Sequence, residues 1–203
     1  MNKIEWIFFD LDGTLVNNLP ALYRAYLDFL IDYGIKGNKR EFEKLNGPSL
    51  TEIIDTLKQT YDLKESHNKL FEKYEFKIQS AYEKSKPRKQ STQILKSLKN
   101  EGYKTALVTS SSKKLALILI RKFNWTGFFQ LYVFGNEIRY SKPHPEIYRL
   151  CLQKAKAPKK QTIVVEDSKN GFESARKAGL DCILIDTKKG LSNLLGIVKS
   201  YEK

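Results

Sequence analysis

The stretch Ile4-Glu-Trp-Ile-Phe-Phe-Asp10-Leu-Asp12-Gly-Thr14 decides the fold. Its first six residues are mostly β-branched and aromatic, and the run is too short for a helix, so it reads as a buried parallel strand. The strand ends in Asp10, with Asp12 one residue further on. Burying an ionised carboxylate costs several kcal/mol (about that order), so two of them at a strand end require a metal, a shared proton or water. Gly13 allows a tight turn and close backbone approach, as at many phosphate sites. The same residues also fit a strand-terminating Asp followed by an ordinary Asp-Gly turn.

Outward from this strand, helical spacing begins at Asn18, a candidate N-cap with Pro20 in the first turn. It runs through Leu22, Ala25, Tyr26, Phe29 and Leu30 and stops at Gly34. Further helical patterns cover about Lys39 to Leu45, Leu50 to Tyr61 and Glu65 to Lys84, with no strand pattern among them. After Pro87 the pattern alternates. Helices are expected at Gln90 to Asn100 (with Gly102 as C-cap), Ser112 to Phe123, Pro145 to Ala155 and Gly171 to Ala178. Strands are expected at Thr105 to Thr109, Gln130 to Phe134, Thr162 to Glu166 and Asp181 to Asp186. The expectation is an α/β fold: a Rossmann-like five-stranded parallel sheet sandwiched by helices, with an inserted all-helical cap domain. Residues 1–16 and 87–203 would form the α/β core domain, and residues 17–86 the cap, hanging over the strand ends where open α/β sheets bind ligands.

Three more strand ends carry polar groups. Ala106-Leu-Val-Thr109-Ser110-Ser-Ser112 places a hydroxyl and free N–H groups before a helix, which suits an anion but equally suits an ordinary N-cap. Ser141-Lys142-Pro-His-Pro145 puts a lysine on a loop stiffened by proline, suited to neutralising a phosphoryl group or a carboxylate. His144 there reads as a surface or capping residue rather than a base. Glu166-Asp167-Ser168 ends an apolar strand before Gly171; adjacent acids offer hard oxygen ligands for magnesium or, alternatively, acidic capping of the next helix.

In order, these strand ends present a carboxylate pair, a hydroxyl, a lysine and a second carboxylate pair. That succession resembles the haloacid dehalogenase superfamily over nearly the whole chain. Lys142-Pro-His-Pro-Glu-Ile-Tyr148 and Val164-Val-Glu-Asp-Ser-Lys-Asn-Gly171 look like its subgroup containing phosphoglycolate phosphatase and β-phosphoglucomutase, which also carries a helical cap. The resemblance implies a magnesium-dependent phosphatase acting on a small phosphorylated metabolite. Asp10 would attack phosphorus, and Asp12 would protonate the leaving oxygen and then activate water. Thr109 and the Ser110 N–H would hold the phosphoryl oxygens, and Lys142 would offset their charge. Mg2+ would be bound by Asp10, the Asp12 carbonyl and Asp167, with Glu166 nearby. Dehalogenases of the superfamily lack an acid at the Asp12 position, so a phosphate substrate is expected; phosphomutase chemistry of the β-phosphoglucomutase type is the alternative. Asn17 and Asn18 depart from the Asp and Ser that relatives often carry. In the cap, the Asn46-Gly-Pro-Ser49-Leu50 turn resembles a loop that in relatives reaches the substrate, and Arg40, Lys44 and Ser49 are the leading candidates to face it.

Composition bounds the rest. The 203 residues are 41% hydrophobic and 12% aromatic, enough to form a folded core. No apolar run reaches the roughly 20 residues of a membrane span. Met1 to Asp10, interrupted by Glu5, has no signal-peptide pattern, so cytoplasmic residence as a monomer or weak dimer is expected. The net charge of +13 would suit nucleic acid. However, the basic residues alternate with acids, as from Lys64 to Lys86, without interleaved aromatic pairs, so solvated surface is favoured and a nucleic-acid end phosphatase is the lesser alternative. Cys151 and Cys182, both in apolar segments, are expected to be buried thiols.

Overall fold

The structure, a computed structural model, describes residues 3–186 and 190–202. Five parallel strands, β1 (Trp6–Phe9), β2 (Lys104–Thr109), β3 (Leu131–Phe134), β4 (Thr162–Glu166) and β5 (Asp181–Leu184), form one sheet in the order β3-β2-β1-β4-β5. β1 is central and pairs on both sides, with Phe9 level with Leu107 of β2 and Val165 of β4. Its side chains alternate between faces. Ile7 and Phe9 join one apolar cluster and Trp6 and Phe8 the other, which is why the strand reads as continuously apolar.

Helices cover both faces. α5 (Ser91–Asn100), α6 (Lys113–Lys122) and α9 (Leu194–Ser200) supply Leu95, Leu115, Leu119 and Leu194 to the Phe9 side, and α7 (Glu146–Ala155) and α8 (Lys169–Ala178) supply Ile147, Tyr148 and Ala175 to the Trp6 side. Between β1 and α5 the chain forms α1 (Leu19–Ile31), α2 (Lys39–Lys44), α3 (Leu50–Thr60) and α4 (His67–Lys84). α1 and α3 pack on α4, and α4 in turn rests on α6. The connections into and out of this insert run side by side: Val16 bridges Pro87 in antiparallel fashion, Asn17 N–H donates to the Lys86 carbonyl and Arg88 N–H to that of Leu15.

The element order matches expectation, with local differences that have physical causes. β3 starts at Leu131 because the Gln130 side chain is used to accept the Thr105 N–H at 2.7 Å. β5 ends at Leu184 rather than Asp186, and α9 has no counterpart among the expected helices. Asn18 occupies the N-cap of α1, but its side chain makes no capping bond and turns to the loop after β1. Cys151 is buried as expected, whereas Cys182 on the edge strand β5 is only partly so.

Candidate active site

The in-register ends of β1, β2 and β4 bring three of the four motifs together, and the loop before α7 adds the fourth. Asp10 follows β1 directly, its N–H donating to the Val165 carbonyl at 3.1 Å. The chain then turns at Gly13, whose φ of +86° falls in the left-handed region. A Cβ there would lie 2.1 Å from Asp167 Oδ2, so only glycine lets the turn pass that carboxylate. Thr14 donates its hydroxyl to Asp167 Oδ1 at 3.1 Å, and the buried Arg88 guanidinium donates to the carbonyls of Gly13 and Thr14.

Lys142 is buried below this loop. Its Nζ reaches Asp10 Oδ1 at 2.7 Å, Glu166 Oε1 at 2.6 Å and the Val108 carbonyl at 3.3 Å, which accounts for all three ammonium donors. Glu166 also accepts from the Tyr148 hydroxyl at 2.6 Å and the Ser168 hydroxyl at 3.2 Å. Gly171 closes over it, since a Cβ there would lie 2.0 Å from Glu166 Cδ. Both Glu166 oxygens are thus engaged by protein donors, and its part is to fix Lys142 and supply buried negative charge.

Three carboxylates surround one ammonium. Burial, and next the Glu166 charge, hold the Asp10 carboxyl well above the usual range. The same two causes push Asp167 up to about 7. The charges of Asp10 and Glu166 hold Lys142 above its ordinary value in spite of its burial. Oxygens of Asp10, Glu166 and Asp167 all lie within 4.8 Å of one another, and no side chain among the described residues donates to Asp10 Oδ2 or Asp167 Oδ2. Surplus negative charge, two open hard oxygens and close spacing fit a small divalent cation.

Asp12 sits in a different setting. Its carboxylate accepts from Asn18 Nδ2, from the Tyr82 hydroxyl at 2.7 Å and from the Ser111 hydroxyl at 2.8 Å. Asn18 in turn accepts the Gly13 N–H at 3.2 Å. The second carboxylate is therefore held by the first connection, by α4 of the insert and by the loop after β2. Thr109 accepts the Ser111 N–H at 3.1 Å, which leaves its own proton for another acceptor. Asp10, Asp12, Thr109, Ser110 and Lys142 all line one cavity of about 100 Å3. His144 is a loop residue whose carbonyl accepts from Ser174 at 2.7 Å, and it does not line that cavity.

The insert candidates separate. Arg40 and Lys44 are exposed on α2 and line a second, larger cleft of about 1020 Å3 that ends at Asp167. Ser49 lines neither. Its hydroxyl caps α3 by accepting the Glu52 N–H at 3.3 Å, while its own N–H donates to Ser141 Oγ at 2.9 Å. The neighbouring carbonyls of Asn46 and Gly47 accept from Asn170 (2.6 Å) and from the Ser110 hydroxyl. The Asn46–Ser49 turn is thereby docked on three of the motif loops. Sequence reasoning missed Asn18, Tyr82, Ser111, Tyr148 and Arg88 as site residues.

Residues 7–185 match the family model for haloacid dehalogenase-like hydrolases. The chain belongs to that family. Among its curated relatives, the haloacid dehalogenase-like chain is 29% identical over 181 residues to a phosphorylated carbohydrates phosphatase of Thermotoga maritima, covering 89% of this chain and 84% of that one. It is 27% identical to the pyrophosphatase PpaX of Bacillus mycoides, covering 98% and 92%. In fold it matches the crystal structure of a β-phosphoglucomutase from Clostridium difficile with a TM-score of 0.83, at 19% identity over 98% of this chain and 99% of that one. Among the described residues no helix is long and apolar enough to cross a membrane.

Proposed function

We propose that this hydrolase is a magnesium-dependent phosphatase that cleaves a phosphate monoester through a phosphorylated Asp10. The observation that carries the reading is the pair of carboxylates in one cavity with opposite company: Asp10 lies against the Lys142 ammonium, and Asp12 is held by three neutral donors two residues away. One is suited to attack and the other to carry a proton.

Asp10 uses its carboxylate oxygen as nucleophile on phosphorus. Its Oδ1 is oriented by Lys142, whose charge favours the ionised nucleophile in opposition to burial and the Glu166 charge. Asp12 passes a proton to the leaving oxygen as the P–O bond breaks. In the second half-reaction it takes a proton from the water that attacks the phosphoryl group on Asp10, releasing inorganic phosphate. Thr109 and the Ser110 backbone receive the phosphoryl oxygens, and Lys142 offsets their charge. Asp10, Asp167 and the Asp12 carbonyl would hold the magnesium, with Glu166 adding charge from behind. Bound there, it would neutralise the nucleophile and the phosphoryl oxygens it must approach.

Residues 17–86 act in this reading as a cap over a core made of residues 1–16 and 87–203, with the paired connections as the hinge. Arg40 and Lys44 line the adjoining cleft, where they would attract an anion on its way in. Relatives named for phosphorylated carbohydrates and for pyrophosphate support a phosphoryl substrate. Hydrolysis is favoured over phosphomutase chemistry because none of the described residues that line the cavity from the insert is a cation, and a bisphosphate intermediate would need one there. The test is release of inorganic phosphate from simple monoesters by the purified protein with magnesium. No release from any monoester removes the proposal.

A further inference from the structure

The wall that the insert presents to Asp10 is apolar. The cavity containing Asp10, Asp12, Thr109 and Lys142 is lined from the insert by Leu22, Phe42, Leu45, Leu50, Ile53 and Ile78, drawn from all four of its helices and the turn between α2 and α3. Among the described residues, none of those lining it from the insert is charged. Its polar members there are neutral: the Tyr82 hydroxyl donates to Asp12, the Asn46 carbonyl accepts from Asn170, and the Tyr74 hydroxyl and Asn46 amide stand among the apolar side chains. Leu22, Phe42, Leu50 and Ile53 are half-buried: each packs on the helical core and turns its remaining apolar surface to the cavity. Three cations of the insert, Lys39, Arg40 and Lys44, line the larger adjoining cleft instead.

A leaving group emerging from phosphorus toward the insert therefore meets methyl, methylene and ring carbons. A second phosphate or a carboxylate placed there would lose its water and meet no cation from the insert, which costs several kcal/mol (on that order) for a charged group. We infer that the preferred substrate is a phosphate monoester with a short apolar leaving group, alkyl or aromatic, carrying no second charge. The inference rests on the phosphatase reading and narrows it. The relatives' named substrates, carbohydrate phosphates and pyrophosphate, are then poor ones for this chain. An alkoxide is also a poor leaving group, so such a substrate depends on proton delivery from Asp12.

The test is a panel of phosphate compounds assayed with magnesium: the monoesters alkyl phosphates of increasing chain length, phenyl phosphate, phosphoglycolate and glucose 6-phosphate, and the anhydride pyrophosphate. The expected result is a rise in kcat/KM of roughly four-fold per added methylene until the cavity is full, and then a fall. The polar and charged compounds should lie at least ten-fold below the best alkyl or aryl ester. Ile53→Lys, which puts a cation on the wall, should narrow or reverse that gap in favour of phosphoglycolate. Turnover led by a charged or polyhydroxylated ester in the unaltered protein overturns the inference while leaving the phosphatase reading in place. Turnover of none of the panel overturns both.

Discussion

The Tyr82 hydroxyl lies 2.7 Å from Oδ2 of Asp12, so the last turns of α4 hold the carboxylate proposed to carry the proton. Burial keeps that hydroxyl protonated far above neutral pH, which makes it a steady donor. Tyr82→Phe should leave the fold intact and remove one hydrogen bond worth about 1 kcal/mol. A fall of roughly five- to ten-fold in turnover is expected for esters with poor leaving groups and almost none for a p-nitrophenyl ester, which leaves without protonation. Equal losses on both kinds of ester would remove Asp12 positioning from the role of Tyr82.

Asp10→Asn should abolish turnover, because the amide cannot form the phosphorylated intermediate. Asp12→Asn should slow cleavage by roughly 10²- to 10⁴-fold and allow the phosphorylated protein to accumulate. Thermal unfolding of Asp10→Asn should match or exceed that of the parent, since burial and the Glu166 charge already disfavour the ionised Asp10. A variant that keeps parental phosphate release would contradict the nucleophile assignment.

Lys142 is the counter-charge for two carboxylates at 2.7 and 2.6 Å, and its side chain is 1% exposed. Lys142→Met leaves Asp10 and Glu166 buried without it, so a loss of about 3–5 kcal/mol is expected in denaturant unfolding, together with loss of activity. Lys142→Met with Glu166→Gln should recover part of the stability and none of the activity. Recovery of neither would show that the two groups are not energetically coupled.

Asp167 is pushed from an ordinary 3.8 to about 7, so the folded protein without metal binds this proton more tightly than the unfolded chain. The linkage sign follows: stability of the metal-free protein should fall as pH rises from about 4 to about 7, and Asp10, shifted in the same direction, should add to the fall. Magnesium should reverse the fall near neutral pH and raise the unfolding temperature, and Asp167→Asn should flatten the pH dependence while weakening the magnesium effect. Calcium should stabilise without supporting turnover, because its larger radius and higher coordination number misplace the Asp10 oxygen. Stability that rises between pH 4 and 7 in chelator would contradict the charge arrangement.

Residues whose chemistry announces itself were legible in the sequence: Asp10, Asp12, Thr109, Glu166 and Asp167 stand at or just past the ends of short apolar strands, Lys142 follows on the loop before α7, and the fold gathers the Lys142 ammonium with Asp10 and Glu166. The partners that orient them were not. Tyr82 recurs at helical spacing with Tyr74 and Ile78 and so reads as a core aromatic; only the docking of α4 on α6 brings its hydroxyl to Asp12. Asn18 looks like a helix cap because its position is one, and its side chain is diverted by the turn at Gly13. Ser49 was singled out beside the Gly47 turn, yet its hydroxyl caps α3 and its N–H meets Ser141, a pairing that depends on tertiary docking. Helix α9 was missed.

The side-by-side connections at Val16 and Pro87 have an evolutionary corollary. Entry and exit of the four-helix segment are one strand spacing apart, about 5 Å. To the sheet, the whole segment is therefore interchangeable with a tight turn. A single recombination event replacing the continuous stretch from Asn17 to Lys86 would install a new specificity wall without altering strand order or register. Such an exchange would remove Asn18 and Tyr82 as well, so a lineage built on this plan could change its insert only where the new segment again brings donors to Asp12.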